Sequence, residues 1–333
     1  MKFEWIDFYS EFATKLLLFK NDRKALIERI NDVYTAINMQ VPKLESGGDI
    51  IDIDPFTIFG LFNKGITNSN RIAIIRSIAN VFGIEAKVPN NFDGIPVLNN
   101  LKATFYAFKE DRKADDIDNI WNVFEAALRL ADNDTEQNRK EFSKWYDLVH
   151  DQRCIRWNIT MGLYWIRPYT YINLDSRNRW YISNVENMPA EFVDSIKKKI
   201  NKVPNATDYL FIKDACIKAL EVGSYEYKNY PELSYSAWIV SEQVNRQKAA
   251  ANGKKLSNAA FLRWFKPLIQ ALRDLGGSGT PAEARAKIVE NEQLSDEEVN
   301  AIRGKNNVNK FENEVAFARS YLVNAGYIDK SIY

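Results

Sequence analysis

The chain has 333 residues, long enough for two domains with separate cores. Its 46% hydrophobic and 27% charged residues are the proportions of a folded protein, and 45 Lys+Arg against 44 Asp+Glu leave no overall positive field to drive attachment to a phosphate backbone. No stretch approaches the ~20 apolar residues of a membrane span, and Met1-Lys2-Phe3-Glu4-Trp5 carries an acid early without a signal-peptide layout, so the cytoplasm is the expected compartment.

An aromatic share of 13% means that large planar side chains dominate packing. Trp5, Phe8, Phe12, Leu16 and Phe19 recur at helical spacing, as do Leu26, Ile30, Val33 and Ile37. A loop rich in Gly and Asp (46–52) leads to Asp54-Pro55, a cap followed by a first-turn proline, which predicts a helix over 55–64 ending at Gly65. A further helix opens near Asn68, covers 71–82 and ends at Gly83. Pro89, Asn90-Asn91, Asp93-Gly94 and Pro96 make 88–100 a loop. Residues 103–108 are too short a run to type. Helices are expected over 117–131 and 135–150, and near 190–200, 208–222 and 234–247. Residues 247–257, rich in Ala, Lys, Asn and Gly, read as a linker.

The last seventy or so residues carry the pattern of a winged helix-turn-helix. Phe261, Phe265, Leu268, Ile269, Leu272 and Leu275 have helical spacing and stop at Gly276-Gly277. Thr280-Pro281-Ala282-Glu283 and Ser295-Asp296-Glu297-Glu298 each open a helix with a hydroxyl cap and a glutamate placed for a capping box. A fourth helix, 311–325, ends at Gly326, with Tyr327-Ile328 as the expected first wing strand. Phe311, Val315, Ala318 and Leu322 form its core stripe. Asn309, Asn313, Ala316, Phe317 and Ser320 lie opposite, small or amide-bearing side chains suited to base edges in a major groove, with Lys305 and Lys310 placed for phosphates. A packing unit without nucleic acid accounts for the same pattern. From 261 to 333 there are ten Lys+Arg and ten Asp+Glu, so any binding here is modest or shared with other subunits or domains.

Residues 151–200 hold eight Lys+Arg against five Asp+Glu among Trp157, Tyr164, Trp165, Tyr169, Tyr171, Trp180 and Tyr181. Aromatics interleaved with arginine hold bases by stacking while guanidinium groups take phosphates. That makes Arg156, Trp165, Asp175, Arg177 and Arg179 candidate DNA contacts. In a sharper version the segment is a pocket for an extruded base, read by Asp175 or Asn173. In the bland version it is an aromatic core, with Asp175 capping the next helix and pairing with Arg177 or Arg179.

No Gly-x-x-x-x-Gly-Lys-Ser/Thr run exists, so there is no P-loop. One histidine, His150, and two distant cysteines, Cys154 and Cys216, build neither a zinc site nor a nucleophile triad. Glu85-Ala86-Lys87 with Asp52 or Asp54 only faintly imitates a metal-dependent nuclease, because the segment between them is helical. No cofactor or metal is expected.

Asp54-Pro55-Phe56-Thr57-Ile58-Phe59-Gly60-Leu61-Phe62-Asn63-Lys64-Gly65, Gly94-Ile95-Pro96-Val97-Leu98-Asn99-Asn100 and Leu174-Asp175-Ser176-Arg177-Asn178-Arg179 resemble the amino-terminal region of bacterial restriction ATPases similar to the 5-methylcytosine-specific restriction enzyme B (McrB) subunit. Residues 261–333 resemble the amino-terminal winged-helix domain of the Mrr restriction family. The resemblance implies a bacterial targeting module for double-stranded DNA, often modified, that works with an AAA+ motor domain or nuclease subunit and can act as an oligomer. The motor motifs are absent here, and the chain stops at Ser331-Ile332-Tyr333, where a winged helix still needs a second wing strand. The expectation is therefore a targeting piece of a longer protein without catalysis of its own.

The reading is a mainly α protein: a multi-helix domain over 1–246 with a subdomain break near 150, a linker over 247–257, and a winged helix over 258–333 truncated in the wing. Its expected function is DNA recognition in a restriction or antiphage system. Two alternatives stand beside it: an assembly scaffold for a motor or nuclease subunit, and a glycosylase-like enzyme using Asp175.

Overall fold

The computed structural model describes residues 3–99, 103–223, 225, 227–251, 260–303, 308–324 and 327–329. It is mainly helical and divides into two units, Met1–Glu242 and Gln243–Tyr333. The helices of the first are α1 (Trp5–Leu17), α2 (Arg23–Thr35), α3 (Pro55–Gly60), α4 (Asn68–Phe82), α5 (Asp116–Asp132), α6 (Glu136–Val149), α7 (Asn158–Ile166), α8 (Ser176–Ile182), α9 (Ala190–Ile196), α10 (Ala206–Val222) and the start of α11 (Tyr230–Ala251).

Local chemistry sets many of these boundaries. Asp54 accepts from the backbone N–H groups of Phe56 (2.8 Å) and Thr57 (3.0 Å), and Pro55 occupies the first turn of α3. Thr67 caps α4, and Gly83 closes it in the left-handed region at φ 64°. The run expected over 55–64 is helical only to Gly60, with hydrogen-bonded turns following at Leu61 and Phe62. The helix expected over 234–247 is longer, reaching Ala251, so the first residues of the expected linker are helical; residues 252–259 lie outside the described residues.

At the centre of the first unit, α3 and α7 are buried along nearly their whole length. A Cβ on Gly162 would come within 2.6 Å of the Phe56 ring, so the close approach of these helices requires a residue without a side chain there. Aromatic stripes close around the pair. Tyr9 and Phe12 of α1 pack on Phe59 and Phe62, and Trp121 and Phe124 of α5 pack beside Phe56. A second layer stacks Phe142, Tyr146, Tyr171 and Tyr209. Buried phenols in it still need acceptors: Tyr171 donates to Ala127 O at 2.7 Å and Tyr209 to Ile172 O at 3.0 Å.

In the second unit a single 3₁₀ turn (Ala260–Trp264) leads into α12 (Phe265–Asp274), so the periodic run that begins at Phe261 starts more tightly wound than an α-helix. Gly276 and Gly277, at φ 85° and 99°, stop it. α13 (Pro281–Glu292) and α14 (Asp296–Asn300) both carry complete capping boxes, Thr280 with Glu283 and Ser295 with Glu298. A two-residue ribbon follows: β1 (Ile302–Arg303) runs antiparallel to β2 (Val308–Asn309), pairing Ile302 with Asn309 and Arg303 with Val308. α15 (Lys310–Asn324) then lays Phe311, Val315, Ala318 and Leu322 on Trp264, Leu268, Ala271, Ala284 and Ile288.

The strand expected at Tyr327-Ile328 is not formed. Both backbone N–H groups turn back to Leu322 O, at 2.9 and 3.4 Å, and Ile328 packs on the core. These donors finish α15 and are not free for a ladder. The antiparallel pair lies ahead of α15, not after it. Gly326 and Ser331-Ile332-Tyr333 lie outside the described residues.

Candidate nucleic-acid interface

Each unit carries one candidate surface. In the first unit, a cleft of about 630 Å³ opens between the first turn of α4, the loop over 92–97, the start of α7, the start of α8 and α11. Its walls include Arg71, Phe92, Trp157, Asp175, Arg177 and Trp238.

The loop is held from behind by its own carbonyls. Trp5 Nε1 donates to Asp93 O (3.1 Å), Ser234 Oγ and Tyr164 Oη donate to Gly94 O (3.1 and 3.3 Å), and Trp165 Nε1 donates to Pro96 O (3.1 Å). Gly94 sits at φ 75°, with α11 so near that an added Cβ would lie 3.4 Å from Pro231 O and Tyr235 N. Buried indoles and phenols therefore position the rim.

Asp175 is half-buried and does cap α8: its Oδ1 accepts from the Asn178 backbone at 2.8 Å and from Asn178 Nδ2 at 3.1 Å. Asn178 also donates to Ser234 Oγ at 3.2 Å, so the cap is tied to α11 and the loop. Arg177 is exposed and pairs with Glu242 at 2.8 Å. Arg179 lies 3.6 Å over the Trp157 ring, and burial holds its pKa below the usual value against the opposing pull of Asp175. The local pair expected between Asp175 and one of these arginines is replaced by those partners.

The other expected residues are placed elsewhere. Trp165 is fully buried and supports the loop from the core side, so it offers no face to a ligand. Arg156, in the left-handed region at φ 46°, lines a neighbouring depression of about 770 Å³ that shares Trp157 and Asn158 with the cleft. Asn173 is buried, its Oδ1 accepting from the Asp175 backbone at 3.0 Å, and it cannot read a base from there. The nuclease-like acids do not converge. Asp52 pairs with Arg23, Asp54 is consumed as a cap, and Lys87 meets Glu4.

Arg71 went unnoticed in the sequence, where it is one more polar residue on an amphipathic helix. It is only 6% exposed, yet it lines the cleft. Its Nε and one terminal nitrogen donate to Phe62 O (2.8 Å) and Lys64 O (3.3 Å), and its guanidinium lies 4.9 Å from the Phe92 ring centre. Burial lowers its pKa, countered by nearby Tyr9, and no described carboxylate lies within ion-pair distance. Trp238 was equally silent, a lone aromatic in a helix that only tertiary packing brings to the rim.

In the second unit, α13, the turn at Gln293-Leu294 and α14 have the order of a helix-turn-helix, with the ribbon next. The second helix of such a pair is the one that enters a major groove. Here that helix is α14, whose first turn carries Asp296, Glu297 and Glu298, an unfavourable lining for a phosphate-rich groove. On α15, Asn309 is engaged: its Oδ1 accepts from the Glu312 backbone (2.9 Å) and its Nδ2 donates to Val299 O (2.8 Å). Lys310 and Asn313 are half-buried, while Ser320 and Phe317 are exposed, Phe317 by 52%. Phe317 and Tyr321 meet Phe261 at ring distances of 6.0 and 4.8 Å, forming an exposed aromatic strip. Lys305 lies outside the described residues. Gly304 and Asn306-Asn307, between a β-branched pair, were the overlooked signal for a hairpin here.

No helix among the described residues is long and apolar enough to cross a membrane. No curated protein and no solved structure matches the chain. Residues 261–332 match the Mrr N-terminal domain, which agrees with the winged-helix-like arrangement of the second unit. Residues 5–240, which include every wall of the cleft, match a family described as a domain of unknown function (DUF8425), and the chain belongs to that family.

Proposed function

We propose that this chain is the DNA-recognition part of a bacterial restriction or antiphage system, acting on double-stranded and often modified DNA. The observation that carries the reading is the match of residues 261–332 to the Mrr N-terminal domain, on a unit ordered as helix-turn-helix and ribbon. Lys310, Asn313, Phe317 and Ser320 of α15, with the ribbon and Lys305, form the first contact surface; Asn309 supports it as a cap. The cleft of the first unit is the second, where Trp157 and Trp238 offer rings for stacking and Asp175 offers a carboxylate oxygen to an amino group on a base. Arg156, Arg177 and Arg179 flank it. The likeness of the first unit to McrB-type restriction subunits supports a partner that is an AAA+ motor or a nuclease.

Fluorescence anisotropy with methylated and unmethylated duplexes, at roughly 50 and 200 mM salt, tests this. Binding that weakens with salt supports it; no binding at high protein concentration in either salt removes it for this chain.

A scaffold role is the second reading, favoured by the exposed Phe317–Tyr321 strip and the three acids of α14. Under it, Phe317→Ser abolishes partner assembly while duplex binding is absent from the start.

A further inference from the structure

We infer that the cleft of the first unit is a nucleotide site in which Arg71 and the first turn of α4 hold a phosphate. This deepens the reading of the cleft as a base-holding surface and rests on it, without needing the winged helix.

Three observations converge. The volume, about 630 Å³, lies in the ~300–1,000 Å³ range of small-ligand sites. Arg71 is a buried guanidinium whose neighbours are two carbonyls and a ring, with no described carboxylate paired to it. Desolvation and partial hydrogen bonding leave its charge uncompensated at the cleft wall, and that field favours an anion. The same wall includes Asn68, the first residue of a fifteen-residue helix, where the positive end of the helix dipole adds to the effect.

The other side of the cleft has different chemistry. Asp93 and Asp175 present carboxylates, and Trp157 and Trp238 present rings. A simple anion would meet those two acids unfavourably. A ligand with a phosphate at one end and a flat, amino-bearing ring at the other suits both sides. A nucleotide carrying adenine, cytosine or guanine has that layout. Free mononucleotides and a nucleotide within a strand share this chemistry.

The test is titration calorimetry of the full chain with dAMP, dCMP and dGMP, with the matching deoxynucleosides, and with a 5′-phosphorylated single strand. Asn68→Glu is the main variant: it places a carboxylate one helical turn from Arg71, at a helix start where an acid is tolerated. Arg71→Gln is the second, and Trp238→Ala tests the ring wall. Loss of one charge-assisted contact predicts a weakening of about tenfold or more in the first two variants. Response to mononucleotides assigns a free ligand; response to the single strand alone assigns a nucleotide within DNA; both support the site. Deoxynucleosides binding as tightly as nucleotides, or Asn68→Glu binding unchanged, overturns the phosphate assignment. Duplex binding with no response to any mononucleotide or single strand overturns the inference and leaves the DNA reading intact. Mononucleotide binding without duplex binding does the reverse.

Discussion

Trp165 and Pro96 are joined by a hydrogen bond of 3.1 Å from the indole Nε1 to the carbonyl oxygen, linking the buried centre of α7 to the rim of the cleft. The indole is fully enclosed, so the bond cannot be replaced by water. A residue that reads in sequence as a stacking platform is therefore a support for the loop.

Trp165→Phe keeps most of the ring volume and deletes the donor. A buried carbonyl is left unpaired, and the expected loss is about 1–3 kcal/mol of stability. Urea unfolding followed by tryptophan fluorescence measures it. A loss near zero would show that the loop carbonyl finds another donor.

Gly94→Ala forces a side chain onto a residue at φ 75° whose neighbours on α11 leave ordinary contact distance and no more. Left-handed backbone costs a non-glycine residue roughly 1–2 kcal/mol. Because Gly94 O is held by Ser234 and Tyr164, the strain falls on the cleft rim. Hydrogen exchange should rise over 92–97 more than elsewhere in the first unit.

Asp54 supplies a pH dependence. Burial pushes its carboxyl up to about 6, against hydrogen bonds from Thr57 and Phe56 that pull it down. Below the ordinary carboxylate range both folded and unfolded states are protonated, and the site costs nothing. As pH rises toward about 6 the unfolded chain ionises first, so stability from this residue falls, and above about 6 the whole penalty is present. Asp54→Asn keeps a capping oxygen and removes the titration. It should stabilise by about 1–3 kcal/mol at pH 7.5 and be near neutral at pH 4, seen as a flatter stability-pH curve than that of the parent chain.

The acids of α14 predict the sign of an electrostatic effect. Asp296→Asn with Glu297→Gln leaves the Ser295–Glu298 capping box in place. If α14 approaches a duplex, affinity at low salt should rise several-fold and the gain should shrink as salt increases. If α15 and the ribbon make the contact alone, the pair is silent, whereas Lys310→Ala lowers the salt slope by about 0.9. Anisotropy at several salt concentrations separates these outcomes.

Much of the helical architecture was legible in residue spacing because its signals are local. Asp54-Pro55, Thr280 to Glu283 and Ser295 to Glu298 announce helix starts through bonds spanning three residues. α7 left no such trace: being apolar on every side, it has no amphipathic period to detect. The wing was misplaced because Tyr327-Ile328 resembles a strand start, whereas its N–H groups complete α15.

Within the cleft, Asp175 and Arg177 were visible because aromatics and arginines crowd together in that stretch. Arg71 and Trp238 were not, since each reaches the cleft from a helix remote in sequence. What the residue order alone determined is the helical class, the caps and the apolar face of α15, all consequences of contacts within a few turns. Which arginine is left buried without a carboxylate, which tryptophan faces a ligand and which only braces a loop were decided by long-range packing, because burial and pairing depend on what the rest of the chain brings alongside.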